Sequence, residues 1–392
     1  MLKIKMYPAG NGDAFLVRAG GTNVLIDGGY AATFHGVVSA DLQEIAADGE
    51  TLDLVVATHI DADHISGLIA FLAANESSDK CKVVPVGQIW HNSLRSITAK
   101  NTTPLPPKSA GLLEAVSRRG HPLPSSGHPT AQEISARQGS SLAALIHRGG
   151  YSWNFGGGTA SIRAQHTPPV ALGSTGTATV IGPNDRRLDE LHLWWKAKLR
   201  SMGYSGPMGS DDIIDDAFEF LCAHAPGAHK AKAIALSGGT TKRLEEVYEP
   251  DTSVTNASSI AMILELQERR ILFLGDTWAE DMVEQLHLLK AAGQSMTFDA
   301  IKISHHGSLR NTSPDLLALI DAPVYFISSN GVGHGHPDFE VLAAIVDRAA
   351  AFTRHIHLNY ETSASVRLAQ YSSRNGSEFK VHVGNPEWIQ IG

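Results

Sequence analysis

The chain has 392 residues, of which 43% are hydrophobic and 18% charged, and a formal net charge of −8. That is room for two or three domains of about 150 residues, or for one elaborated α/β domain with a large core. The 40 acidic against 32 basic residues exclude coating of nucleic acid by bulk charge, although a local basic groove remains compatible; two cysteines, Cys81 and Cys222, exclude a disulfide scaffold and a cysteine-rich zinc site.

In chain order, Leu2 to Met6, Ala14 to Arg18 and Val24 to Asp27 predict short strands separated by glycine-rich turns. Leu52 to Thr58, the run LDLVVAT, predicts a strand covered on both faces. Ile65, Leu68, Ile69 and Leu72 follow at helical spacing, so residues 52 to 75 read as strand, polar turn, helix. Val83 to Trp90 predicts a strand. Residues 100 to 135, with Thr103-Pro-Leu-Pro-Pro, predict an irregular insertion holding one short helix near Gly111 to Arg118. Gly156-Gly-Gly splits strand-like segments, and Thr177 to Gly182 is a further strand. Residues 186 to 246 read as mostly helical, including Asp211-Asp-Ile-Ile-Asp-Asp. Ile260 to Leu266 and Ile271 to Gly275 read as a hairpin turning through Gln267-Glu-Arg-Arg, and Ala300 to Ser304, Val324 to Ser328 and Ile356 to Tyr360 as strands with helices between. The pattern predicts a two-sheet sandwich flanked by helices, a single domain over 1–392 with insertions at about 92–165 and 186–246. No stretch approaches about 18 apolar residues and the first residues carry no long apolar segment, so a cytoplasmic protein without membrane contact is expected.

With so few cysteines, the nineteen histidines are the natural metal-binding resource. Thr58-His-Ile-Asp-Ala-Asp-His-Ile places His59, Asp61, Asp63 and His64 directly after the buried strand, with no basic residue among them. Alternate residues of an extended turn project to one side, and two imidazoles with two carboxylates suit one or two divalent cations. An N-capping role explains at most one of them, Asp63. Asp276 after Ile271-Leu-Phe-Leu-Gly275, His305 and His306 in Ser304-His-His-Gly-Ser308, and His336 in His334-Gly-His336-Pro each end a strand. Each alone reads as turn polarity; together they read as a ligand set that only the fold can assemble.

At these residues the sequence resembles the metallo-β-lactamase superfamily, whose H-x-H-x-D-H motif is matched by His59-x-Asp61-x-Asp63-His64. Within it the chain is similar to the hydrolase domain of ComEC-type DNA-uptake proteins and their stand-alone relatives. The segments carrying this are Asn11-Gly-Asp-Ala-Phe-Leu-Val, Val24-Leu-Ile-Asp27-Gly-Gly, Asn256-Ala-Ser-Ser-Ile, Leu274-Gly-Asp276, Lys302-Ile-Ser-His-His-Gly-Ser and His336-Pro. The resemblance implies an α+β, four-layer αββα sandwich and a metallo-hydrolase acting through a metal-bound hydroxide. It implies one or two divalent ions, zinc first, with His59, Asp61, Asp63, His64, Asp276 and His306 as ligands, Asp276 bridging. Asp63, His305 and His336 are the catalytic residues it implies, His305 as a donor to the developing oxyanion and His336 completing coordination or protonating the leaving group.

Asp61 stands where most zinc hydrolases of this fold carry histidine, which widens the metal choice toward manganese or magnesium. The third histidine before the bridging acid has no clear counterpart: Asn256, Ser258 and His91 are alternatives, and His166 is set aside. Asp27 reads either as a group that orients a metal-bound histidine or as a turn acid. A phosphodiester or nucleic acid is the implied substrate, yet the only basic features are Arg118-Arg119, Arg186-Arg187, Arg269-Arg270 and Lys196, Lys198 and Arg200 beside Trp194-Trp195. A lactone, thioester or lactam hydrolase is the alternative on the same cations. A non-catalytic scaffold, docking protein partners through the insertions, is the alternative of another class.

Overall fold

The computed structural model describes residues 1–98, 105–118, 141–174, 176–207, 212–223, 242–333, 335–384 and 387–392; Thr103, Arg119, Asp211 and His334, singled out above, lie outside them. The chain divides into two units, one made of Met1–Asn23, Arg163–Asn184 and Gly227–Gly392, the other of Val24–Ile162 and Asp185–Pro226. The described strands are β1 (Leu2–Met6), β2 (Phe15–Ala19), β3 (Thr22–Ile26), β4 (Leu52–Val56), β5 (Val86–Trp90), β6 (Val170–Leu172), β7 (Gly176–Gly182), β8 (Ala261–Leu266), β9 (Arg269–Phe273), β10 (Ala300–Lys302), β11 (Val324–Ile327), β12 (Arg354–Leu358), β13 (Phe379–Val383) and β14 (Ile389–Ile391). They belong to two sheets, of six and eight strands.

The first unit holds the eight-stranded sheet, ordered β13-β12-β11-β10-β9-β8-β7-β6. Strands β9 to β13 run parallel, and β6 to β9 antiparallel. Parallel neighbours need crossovers, and the helices Ala279–Ala291, Pro314–Leu319, Phe339–Val346 and Ser363–Ala369 supply them. Strand alternation then sorts the side chains. Ile301, Ile303, Tyr325, Ile327, Ile356 and Leu358 join Met282, Leu286, Leu316, Leu342 and Leu368 in one buried cluster. On the other face a single register row reads Phe273, Lys302, Phe326, His357, His382. Phe15 of β2 packs edge-on against Phe273 and Phe326, at ring separations of 5.7 and 6.0 Å. β1 pairs antiparallel with both β2 and β14.

The β8–β9 turn is tighter than the sequence predicts. Gln267 and Glu268 both take positive φ, 49° and 63°, so two residues close the hairpin and Arg269 pairs with Leu266 as part of the strand. The sequence pattern does not predict β6, β13 and β14. β6 and β14 are three residues each, too short to show a period, and β13 alternates as β1 does but follows a polar stretch.

The second unit holds the parallel ladder β3-β4-β5, with Val24 opposite Leu54 and Val55 opposite Ile89. The predicted helix is Ala62–Asn75, burying Ile65, Leu68 and Leu72. The expected N-cap, Asp63, lies two residues too late. The cap residue is Asp61, in extended conformation and without a side-chain capping bond, because the strand end delivers the chain to the helix at Ala62. What fixes the helix start is backbone contact. Gly28 N donates to His64 O and Gly67 N to Gly29 O at 2.8 and 2.7 Å. A Cβ on Gly67 would lie 1.9 Å from Gly28 O, and one on Gly28 would lie 2.5 Å from Leu68 N.

The insertions carry Leu94–Ile97, Pro107–Arg118, Leu142–Arg148, Asp185–Ser201, Asp212–Ala223 and Leu244–Val247 as helices. Trp195 is fully buried and edge-on to Phe218 at 5.3 Å, so it is core and not a base-stacking platform. Near Gly156-Gly-Gly only isolated bridges form, Ile89 with Trp153 and Phe155 with Ala160. Among the described residues no helix is long and apolar enough to cross a membrane.

Gly67→Ala is expected to destabilise the protein by about 3 kcal/mol or more, since neither backbone can give way. Gly111→Ala, in an exposed helix position with open space around it, is expected to stabilise by about 0.5–1 kcal/mol. Urea unfolding of the two variants checks both signs; equal midpoints would refute the contact argument.

Candidate metal sites

In the second unit the site grows from the ends of β3 and β4. Asp27 follows β3 with φ at 55°, and its buried carboxylate is a hub. Oδ1 accepts from Thr58 N at 2.8 Å, and Oδ2 accepts from Thr58 Oγ1 at 2.7 Å and from His64 Nδ1 at 2.8 Å. A carboxylate only accepts, so His64 carries its proton on Nδ1 and presents a lone pair at Nε2. Thr58 spends its hydroxyl proton on Asp27, so at 3.2 Å from His59 Nδ1 its oxygen accepts, and His59 takes the same tautomer. Asp27 therefore orients a candidate ligand and is not a turn acid; its strand leads into helix, not into a hairpin. His59 Nε2 stands 3.5 Å from Asp61 Oδ2, and the His59 and His64 rings lie 4.2 Å apart. Asp63 is half-buried in the first helical turn.

His91, a candidate third ligand, is committed elsewhere. Its Nε2 lies 2.7 Å from Glu219, which also accepts from Leu142 N and Ala143 N, and its ring stacks on Trp153. Burial pushes the Cys222 thiol well up, and Asp61 and Glu219 add to this, so it rests as a neutral thiol.

In the first unit Asp276 follows β9 and Gly275, and is buried. His305 and His306 sit in a tight turn at φ 43° and 56°, a left-handed conformation uncommon for histidine and typical of functional positions. Their Nε2 atoms lie 3.8 and 3.6 Å from Asp276 Oδ2. His305 Nδ1 lies 2.7 Å from Asn311 Oδ1, and the amide of Asn311 donates to Asp251 and to the Asp276 carbonyl. With the amide so oriented, His305 donates from Nδ1 and faces Asp276 with a lone pair. The geometry thus gives His305 the same ligand-like presentation as His306, whose Nδ1 is 3.3 Å from Asp13 Oδ1. The His336 ring lies 5.1 Å from His305, with Nδ1 3.2 Å from Asp338. Burial lowers its pKa, Asp338 opposes this, and His305 and His306 deepen it. Asn256 donates to Asp251 at 2.8 Å and reaches His305 Nδ1 only at 3.4 Å; the Ser258 hydroxyl donates to the Thr255 carbonyl. His166 is exposed.

The sequence pattern assigns no role to Asp13, Thr58 or Lys302. Lys302 is buried, its ammonium contacts the Asp13 carboxylate, donates to Gly275 O at 2.9 Å and lies 3.5 Å from Asp276 Oδ1. The available signal was a lysine inside an otherwise apolar strand, since a buried ammonium needs compensating charge.

The donor sets fit divalent cations. Two N or O donors held about 2.0–2.2 Å from a common tetrahedral ion stand roughly 3.3–3.6 Å apart. His59 Nε2 to Asp61 Oδ2 at 3.5 Å and His306 Nε2 to Asp276 Oδ2 at 3.6 Å match that spacing and are too long for direct hydrogen bonds.

Nitrogen-15 NMR of the imidazoles is expected to show Nδ1–H tautomers for His59 and His64, lost for His64 in Asp27→Ala; an Nε2–H signal for either residue in the native protein would refute the Asp27–Thr58 hub. Lys302→Met leaves two buried carboxylates without their cation, and a loss of about 3–5 kcal/mol in urea unfolding is expected.

Residues 7–77, which include Asp13, Asp27, Thr58, His59, Asp61, Asp63 and His64, match the family model described as Metallo-beta-lactamase superfamily. The comparison with curated proteins gives no match. Among solved structures the chain is similar to the metallo-β-lactamase fold protein YhfI from Bacillus subtilis, at 10% identity over 100% of both chains with a TM-score of 0.37. It is also similar to a mutant of CmlA β-hydroxylase, at 11% identity over 97% of this chain and 52% of that one with a TM-score of 0.34. A protein of unknown function from Enterococcus faecalis matches at 9% identity, over 98% of this chain and 78% of that one, with a TM-score of 0.29.

Proposed function

We propose that this chain, which carries a metallo-β-lactamase superfamily domain and has the two-sheet, mixed α/β fold of that superfamily, is a divalent-metal hydrolase of phosphodiester bonds. The observation that supports it most is the Asp27–Thr58 hub, which leaves two imidazoles presenting Nε2 lone pairs, that of His59 3.5 Å from Asp61 Oδ2. The proposed ligands are His59, Asp61, Asp63, His64, Asp276 and His306. Bound cations supply Lewis acidity and an activated water at neutral pH. Zinc suits the imidazoles and manganese the carboxylates.

The remaining roles belong to the chain itself. Asp27 and Thr58 hold tautomers. Lys302 compensates Asp13 and Asp276. His305 acts through Nε2, as a ligand when neutral and as a donor to an oxyanion when protonated, because Asn311 occupies its other nitrogen. His336, kept neutral by burial, is proposed to take up a proton and return it to the leaving oxygen.

Phosphodiesters are preferred over acyl substrates on the similarity of the motifs to the ComEC-type hydrolase domain. A short substrate is preferred over a long duplex. Arg186 and Arg187 are both tied to Glu190, Arg269 to Asp299 and Arg270 to Glu265, which leaves these pairs poorly disposed to track phosphates.

The test is metal-free protein reconstituted with Zn2+ or Mn2+, assayed on bis-p-nitrophenyl phosphate, a short single-stranded oligonucleotide, a long duplex and an acyl lactone. Turnover of the first two is expected, falling to background in His64→Ala and by about 10–100-fold in Asp27→Asn. Lactone turnover without phosphodiester turnover, or activity surviving His64→Ala, would overturn the reading.

A further inference from the structure

We propose that His355, His357 and His382 form a separate cation site that takes a divalent ion favouring imidazole, zinc or copper, and clips the edge strand β13 to β12. His355 and His357 are two residues apart on β12 and so share a face, and His382 of β13 stands directly opposite His357 in the parallel register. Each of the three offers a ring nitrogen within 4.8 Å of the others. His355 Nδ1 and His382 Nε2 are 3.0 Å apart, one donating to the other, and their ring planes differ by only 9°. The His357 ring lies 4.4 Å from that of His382.

A shared proton between two imidazoles marks a place where a cation can sit. The ring that donates moves its proton to its other nitrogen, and the two lone pairs then converge on the ion with no net proton released. Buried His357 adds the second observation. It is 7% exposed, and its Nδ1 has no hydrogen-bond partner among the described residues, a condition buried polar atoms rarely tolerate. Burial pushes this imidazole down to about 3, with His382 and His355 adding to the effect, so it stays neutral and ligand-competent. No carboxylate belongs to the group, which disfavours calcium and magnesium. His355 and His382 are partly exposed, on the last two strands of the sheet, so an ion can enter and a water can complete its shell. The row position separates this group from Lys302, since Phe326 lies between them.

The proposal is independent of the hydrolase reading, and its test separates the two. Metal-free protein is titrated with Zn2+, and bound zinc is counted after desalting in wild type, His382→Gln, His355→Gln and His64→Ala. The first two variants are expected to bind one equivalent less than wild type and to keep their hydrolytic turnover, while His64→Ala keeps that equivalent. Zinc should raise the Tm of wild type more than that of His382→Gln, and one equivalent of Cu2+ in the His64→Ala protein should show nitrogen hyperfine coupling that His382→Gln removes. Equal zinc counts with equal Kd in wild type and His382→Gln would overturn the proposal. His382 is a partly exposed position on the edge strand, so matched far-UV spectra of the metal-free proteins confirm that the comparison is between folded chains.

Discussion

The second unit depends on one buried carboxylate. Asp27 accepts three hydrogen bonds, all from the seven residues that link one strand end to the following helix: two from Thr58 and one from His64. Each of these bonds is charge-assisted and shielded from water, so it is stronger and more directional than its surface counterpart. The consequence reaches past Asp27 itself. Because Thr58 must donate to the carboxylate, it must accept from His59, and the protonation of both imidazoles follows from one acid.

That arrangement needs the helix to start in one place. Gly28 and Gly67 let two backbones approach to a distance that any side chain would forbid, which fixes where His64 leaves the helix axis. Glycine is here a spacing device, not a source of flexibility. In the first unit the same problem is solved with charge. Lys302 lies in a row otherwise made of aromatic rings and histidines, and its ammonium compensates the acids beside His306. Left-handed backbone at His305 and His306 stores strain that the surrounding hydrogen bonds of Asn311 and Gly275 hold in place.

The same sheet face that carries Lys302 carries His357 and His382 two and three strands further along. Imidazole on that face is a compromise, a ring that packs like an aromatic and still binds a proton or a metal. Phe326 against His357, with ring centroids 5.7 Å apart, shows the packing half of that compromise.

Much of this was legible without coordinates. The apolar run 52–58, the stripe at Ile65, Leu68 and Leu72, and the strand–acid and strand–histidine junctions at Asp27, Asp276 and His305 are local patterns, and local patterns follow from the periods of 2 and 3.6 that the backbone imposes. The choice of residue types able to hold a divalent cation was equally local, since chemistry is written in the side chain. Three things were not. The short strands β6, β13 and β14 exist because neighbours pair with them. Lys302 and Asp13 are partners across 289 positions of sequence. The tautomers of His59 and His64 depend on which atom of Thr58 faces which acid. Each of these is a relation between residues distant along the chain, and its energy arises only when burial removes the competing water.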